Sequence, residues 1–186
     1  GLFSESTIYI GRIENEYLEG KRTRKVFWGL HKLPKVQIDN KKVLIDDGQV
    51  FYIGNIKIEA ILVPGHTWGH LVYLIDDAYL FTGDTIWFGA DGGYAFLNNL
   101  AEDRKLQVKS LKRLEEIIRG KNLKLKIITG HTGWTDDIDF TFAHIDEICN
   151  SLRRKPKVRD PKAPYDGFDE SEDTRENARN GFLEKC

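Results

Sequence analysis

Three times in this chain an apolar, strand-like run ends in a glycine-containing turn that presents a histidine or an aspartate. Pro64-Gly65-His66-Thr67-Trp68-Gly69-His70 follows the alternating run from Val50 to Val63. Thr82-Gly83-Asp84-Thr85 follows Tyr79-Leu80-Phe81, and Gly130-His131 follows Ile127-Ile128-Thr129. Such a chain must hold its strands in a packed core, with polar residues at the strand tips. Glycine breaks each strand and aims the next side chain out of its end, rigidly held but clear of the core. Neutral imidazole nitrogen and carboxylate oxygen are donors that suit zinc or a similar divalent ion.

The local patterning supports this reading. Thr7 to Ile10 is β-like, and Ile13 to Leu18 has a weak helical pattern. Val36 to Ile38 and Val43 to Ile45 read as strands flanking a turn at Asp39-Asn40, with a second turn at Asp46-Asp47-Gly48. Val50 to Val63 alternates around Gly54-Asn55, as a hairpin with one buried face does. Leu71 to Ile75 and Ala78 to Phe81 form another hairpin about Asp76-Asp77. Beyond Leu100 the period changes. Val108, Leu111, Glu115 and Ile118 define one helical face, with Leu114 and Ile117 beside it. Asp103 is positioned to cap this helix and Gly120 to stop it. Leu125 to Thr129 reads as a buried strand. Phe140 to Leu152 reads as a second amphipathic helix with Ile145, Ile148, Cys149 and Leu152 as its stripe. Strands in succession followed by strand–helix units imply an α/β sandwich with a mainly antiparallel sheet.

Each candidate ligand has a plainer reading when taken alone. A lone His66 or His131 is commonly a hydrogen-bonded turn residue, and Gly-Asp is a common turn pair. A carboxylate at the end of so apolar a strand is nevertheless costly unless it is paired or metal-bound. Three such residues, each at a strand end, make the stronger case. Trp68, Trp87, Phe88 and Trp134 flank these segments, and either wall a pocket or pack as core and rim. Gly89 to Gly93 reads as a flexible loop. It either approaches substrate or connects strand to helix, and it lacks the spacing of a phosphate-binding loop.

The Gly-His-Thr-x-Gly-His string, the Thr-Gly-Asp-Thr string and the strand ending at His131 together resemble the second half of the metallo-β-lactamase-fold hydrolases. The spacings, 18 residues from His66 to Asp84 and 47 from Asp84 to His131, fit that family. The resemblance runs from about Leu2 to Leu152. It implies an α/β fold, the metallo-β-lactamase-like αβ/βα sandwich, here mainly its C-terminal half. It also implies that His66 ligates one metal ion, His131 a second, and Asp84 both. His70 is implied to support the ligands, and Asp84 with His70 to serve catalysis. The cofactor implied is zinc, two ions in a complete site, with iron or manganese as alternatives. The reaction implied is hydrolysis of an ester, thioester, lactone or phosphodiester of a small molecule by a metal-activated water. Aspartate at position 84, where two-zinc β-lactamases typically carry cysteine, resembles the branches acting on thioesters, phosphodiesters or lactones.

One departure matters. The family's first motif, His-x-His-x-Asp-His, is absent from the sequence. The remaining histidines, His31 and His144, lack partners at that spacing and are expected in structural or surface roles. The chain is therefore expected to open just downstream of that motif, and to be competent only with the missing N-terminal half or a partner chain. Lacking the family's first strands, it is expected to expose a sheet edge and an apolar face. These would be met by a second chain or a homodimer. The alternative is a non-catalytic binding or assembly module derived from the same fold.

The bulk numbers limit the other classes. The 186 residues suffice for one domain with a core, expected at 1–153, followed by a polar tail at 154–186. A net charge of −1 gives no general affinity for nucleic acid or an anionic membrane. The basic stretches 21–25 and 32–42 read as solvated surface. No apolar run approaches the roughly 20 residues that span a bilayer. Cys149 and Cys186 form no metal-knuckle spacing or disulfide framework, and a cytoplasmic setting is expected.

Overall fold

A computed structural model describes residues 5–24, 38–95 and 100–148. Its elements in chain order are β1 (Ile8–Gly11), α1 (Arg12–Leu18), β2 (Lys42–Ile45), β3 (Val50–Ile53), β4 (Ile56–Leu62) and β5 (Leu71–Ile75). Then come β6 (Tyr79–Gly83), β7 (Ile86–Phe88), β8 (Gly93–Ala95), α2 (Arg104–Lys121), β9 (Lys126–Thr129), β10 (Trp134–Thr135), α3 (Ile138–Phe142) and β11 (His144–Ile148).

The principal sheet has six strands in the order β10-β9-β6-β5-β4-β3. All its pairings are antiparallel except β6 with β9, so the expected mainly antiparallel α/β arrangement is present. The hairpins fall at Gly54-Asn55 and Asp76-Asp77, as the turn residues require. One face carries Ile61, Val72, Leu74, Leu80 and Ile127. These pack on Leu111, Leu114 and Ile118 of α2, all nearly inaccessible. Asp103 caps α2 by accepting from the Leu106 amide at 2.9 Å. The helix runs through Gly120 and ends at Asn122, whose left-handed φ of 50° closes it. The expected stop at Gly120 is thus displaced by two residues. The buried stripe is Gln107, Ser110, Leu111, Leu114 and Ile118, while Glu115 instead faces outward and pairs with Arg119 at 2.8 Å.

On the opposite face, Phe51, Ile58, Ile75 and Tyr79 lie in register across four strands. Ala60, Tyr73, Phe81 and Ile128 form a second row. Tyr79 and Phe81 on this face remain 45% and 39% exposed. A parallel β1–β2 pair lies over part of it, with Tyr9 stacked on Phe51 at 5.2 Å. The result is a partial α/β sandwich, helix on sheet with a small second sheet above.

Two expectations are overturned. The segment read as a helix from Phe140 is a short helix ending at Phe142, followed by β11, which runs parallel to β8. Ile145 and Ile148, three apart, suit a helix stripe, but β-branched residues pack equally well in a strand, and Ile145 is buried there. His144 therefore lies on a strand, its ring stacked on Tyr94 at 4.8 Å. Gly89 to Gly93 is not a free loop but the turn joining β7 to β8, closed by Gly89 N–H donating to the Gly92 carbonyl. The expected strand at Val36, His31, Cys149 and the tail at 154–186 lie outside the described residues.

Candidate metal centre

The Pro64-Gly65 break ends β4, and a loop carries His66 back to β5. Val63 N–H donates to the His70 carbonyl and Gly65 N–H to that of Thr67, closing the loop on itself. The start of α2 then clamps it: Glu102 N–H donates to the His66 carbonyl and Asp103 N–H to that of Gly65. The Glu102 carboxylate accepts from the Trp68 amide at 3.0 Å and from the Tyr17 hydroxyl at 2.6 Å. Thr67 donates its hydroxyl to Glu14. Gly65 has φ +140°, and a Cβ there would strike the Gln107 backbone, so only glycine lets loop and helix meet so closely.

Asp84 sits in the turn after β6, and His131 in the turn after β9. Because β6 and β9 are parallel neighbours, both tips emerge on the same edge. Gly130 N–H donates to the Gly83 carbonyl at 2.9 Å and draws the two turns together. The His131 turn is braced by threonines: Thr129 Oγ1 accepts from the Thr132 amide at 3.0 Å, and Thr132 Oγ1 accepts from the Phe88 amide at 2.9 Å.

The three sequence-derived residues therefore converge. Asp84 Oδ1 lies 3.2 Å from His131 Nε2, and Asp84 Oδ2 lies 3.8 Å from His66 Nε2. The His131 contact holds the Asp84 carboxyl below the ordinary range, against an opposing effect of burial. The same contact raises His131. Burial pushes His66 down to about 3, and the Arg24 guanidinium adds to the shift. His66 is thus a neutral ring, the form that binds metals, and its contact with Asp84 is not an ion pair. His70 donates Nε2–H to the Thr82 carbonyl at 2.9 Å, and its ring meets His66 edge-on at 5.7 Å. It touches the strand that delivers Asp84 rather than Asp84 itself.

A cavity of about 390 Å³ opens beside these residues, lined by His66, Thr67, His70 and Asp84 and by Tyr9, Ile10, Gly11 and Glu14 of β1 and α1. Among the flanking aromatics, Trp87 lies 6.3 Å from the His131 ring and Trp68 is exposed. Phe88 is wholly buried against Phe140 and is core. Trp134 carries Lys126 over its ring at 3.8 Å.

Two imidazoles and a carboxylate are, by chemistry, a donor set for zinc. Among the described residues, however, no group of three or more His, Cys, Asp or Glu side chains is arranged to hold an ion. The carboxylate faces the imidazoles, and Arg24 lies on His66. The donor types fit a divalent ion, and the side chains would have to turn toward it.

Sequence reading did not find Glu14, Arg24, Glu102 or Gln107, whose amide donates to the Thr85 carbonyl at 3.2 Å. Glu102 precedes the helix cap, which is a weak local signal. Glu14 and Arg24 carry no signal at all, because they arrive from a different part of the chain.

No protein-family model matches the chain. Among curated proteins, a probable polyketide biosynthesis zinc-dependent hydrolase, BaeB of Bacillus velezensis, is 39% identical over 70 residues, covering 38% of this chain and 31% of its own length. A hydroxyacylglutathione hydrolase of Pelagibacter ubique is 29% identical over 133 residues, covering 71% of this chain and 52% of its own. The metallo-β-lactamase fold-containing protein ST1585 of Sulfurisphaera tokodaii is 32% identical over 93 residues, covering 50% of this chain and 34% of its own. The crystal structure of ST1585 from Sulfolobus tokodaii aligns with TM-score 0.44 and 23% identity over 68% of this chain and 46% of that one. Over these segments the chain resembles the metallo-β-lactamase-fold superfamily. It spans between about a third and about a half of the length of these curated relatives.

Proposed function

We propose that this chain carries one part of a metal-dependent hydrolase site, in which His66, Asp84 and His131 hold the metal. The convergence of these side chains at one sheet edge, Asp84 between the two imidazoles, carries the reading. The relatives' names support hydrolysis and zinc, and two of them, a hydroxyacylglutathione hydrolase and an atrochrysone carboxyl ACP thioesterase, point to thioesters as the substrate class. A bound divalent ion would polarise the scissile carbonyl and lower the pKa of a coordinated water. The chain's own residues supply the rest. Glu102 and the α2 N-terminus fix the His66 loop, His70 fixes the β6 tip through Thr82, and Gly130 makes room for the Asp84 carboxylate. The cavity walls, Tyr9 and Tyr73 among them, would exclude water from an acyl group.

A complete site of two ions needs further ligands. In this reading they come from an N-terminal half or a partner chain that covers the apolar face around Tyr79 and Phe81, a second copy being the alternative. The setting assumed is the cytoplasm. Zinc content measured by native mass spectrometry tests the ligand set. His66→Ala and Asp84→Asn should each lose zinc, and in the complete protein should lose hydrolysis with it. Wild-type zinc content in both variants would refute the assignment.

A second reading, a binding or assembly module without catalysis, is favoured by one observation: among the described residues no donor group is already arranged around an ion. A chain that takes up no zinc at pH 8 from a chelator-free buffer would establish it over the first.

A further inference from the structure

Arg24 belongs to none of the three motifs, yet it reaches the centre of the site. Its Nη2 lies 3.0 Å from His66 Nε2 and 3.0 Å from the Leu100 carbonyl oxygen. A guanidinium only donates, so the His66 Nε2 lone pair is the acceptor, and the neutral ring carries its proton on Nδ1. The Arg24 Nε–H is buried without a hydrogen-bond partner in the structure. An unmade bond of this kind is costly, and the two contacts at Nη2 are what offset it. The guanidinium is therefore held where it is by His66 and by the Leu100 carbonyl.

We propose that Arg24 is a built-in stand-in for a cation at His66, competing with a metal ion for the Nε2 lone pair. The proposal rests on the reading of His66 as a metal ligand. One lone pair accepts one N–H or binds one ion, never both at once. A divalent ion and a guanidinium also repel each other at such range. Metal entry accordingly requires Arg24 to withdraw. In the metal-free chain the arginine satisfies a buried imidazole that would otherwise face the cavity, and it keeps the site closed at that atom. The Leu100 carbonyl gives the withdrawn side chain a tether, so displacement is a swing and not an unfolding of the segment.

The test is zinc affinity of the full chain, measured by competition with a chromophoric chelator at fixed pH. Arg24→Ala should bind zinc about tenfold more tightly, equivalent to about 1.4 kcal/mol. In wild-type protein, the Nε–H resonance of Arg24 should move on zinc addition in step with the ring nitrogens of His66. An Arg24→Ala protein that is folded by circular dichroism and binds zinc no more tightly would overturn the proposal. So would an Arg24 resonance that stays put while His66 shifts, a readout that needs no variant. His66→Ala separates the two levels of inference. If it leaves zinc affinity unchanged, the ligand reading fails and the competition fails with it. If it weakens zinc while Arg24→Ala changes nothing, only the competition is lost.

Discussion

The Oδ1 atom of Asp84 occupies the place that a Cβ on residue 130 would need, so the bare backbone of Gly130 is the floor beneath the carboxylate. Two turns from different strands meet there with no room for a methyl group. Gly130→Ala should push Asp84 off its present position. The expected cost is about 1–3 kcal/mol of stability, with at least a tenfold loss of zinc affinity. Denaturant melts and a zinc titration on the same preparation check both. An alanine variant with native zinc affinity would show that Asp84 does not depend on this floor.

Gly65 and Gly120 should respond in opposite directions to the same change. At Gly65 the backbone is left-handed and a Cβ meets the Gln107 main chain, so Gly65→Ala should destabilise by at least about 2 kcal/mol. Gly120 lies inside α2 with open space around it, and Gly120→Ala should stabilise by about 0.5–1 kcal/mol. Paired urea melts decide it. Equal effects at both positions would contradict the described packing of the His66 loop on α2.

His70 holds the Thr82 carbonyl two residues before Asp84. His70→Ala takes away the 2.9 Å donor and leaves that oxygen the longer 3.5 Å contact from the Thr85 amide, at a cost of about 1–3 kcal/mol. A purely structural role would lower stability alone. A positioning role should also weaken zinc binding in variants that are still fully folded, and His70→Asn, which keeps an N–H donor, should recover part of it. Zinc affinity at a temperature well below the melting point distinguishes the two.

Acid should destabilise the chain held in chelator. His66 is neutral when folded, with its pKa pushed down to about 3, whereas the unfolded ring titrates near 6.5. Above 6.5 neither state binds the proton and stability is intact. As pH falls below 6.5 the unfolded state gains a proton that folded His66 refuses, and stability drops progressively toward pH 3. Asp84, lowered by His131, adds a loss at the acid end, below the ordinary carboxylate value. His131 works in the other sense: raised by Asp84, its contribution is complete below 6.5 and fades as pH rises through its folded value. Urea midpoints from pH 8 to 4 should fall in the wild type and fall less in His66→Phe. A flat wild-type profile would contradict the burial of a neutral ring.

The parts of the fold that were legible in the sequence are those decided by neighbours in the chain. The hairpins β3–β4 and β5–β6 follow from alternation and from the turn residues Gly54-Asn55 and Asp76-Asp77. The start of α2 follows from Asp103 and the apolar period behind it. The three-stranded sheet of β7, β8 and β11 was not legible. Its strands are short and take their hydrogen-bond partners from distant residues, so Ile145 and Ile148 fitted a helix as well as a strand. Phe88, flanking a candidate ligand in sequence, turned out to be core because β7 aims it away from the cavity.

By itself the sequence determined which donors stand at which strand ends, because glycine turns and apolar runs are local instructions. It thereby led to the expectation that His66, Asp84 and His131 would stand in turns at strand ends and not within strands. The tertiary structure alone decided that they meet. The parallel pairing of β6 with β9 brings Asp84 within 3.2 Å of His131, and the clamp of α2 on the His66 loop brings in the third side chain. It also decided what else arrives there. Arg24 is 42 residues from His66 along the chain, and only the tertiary structure puts its guanidinium on the imidazole.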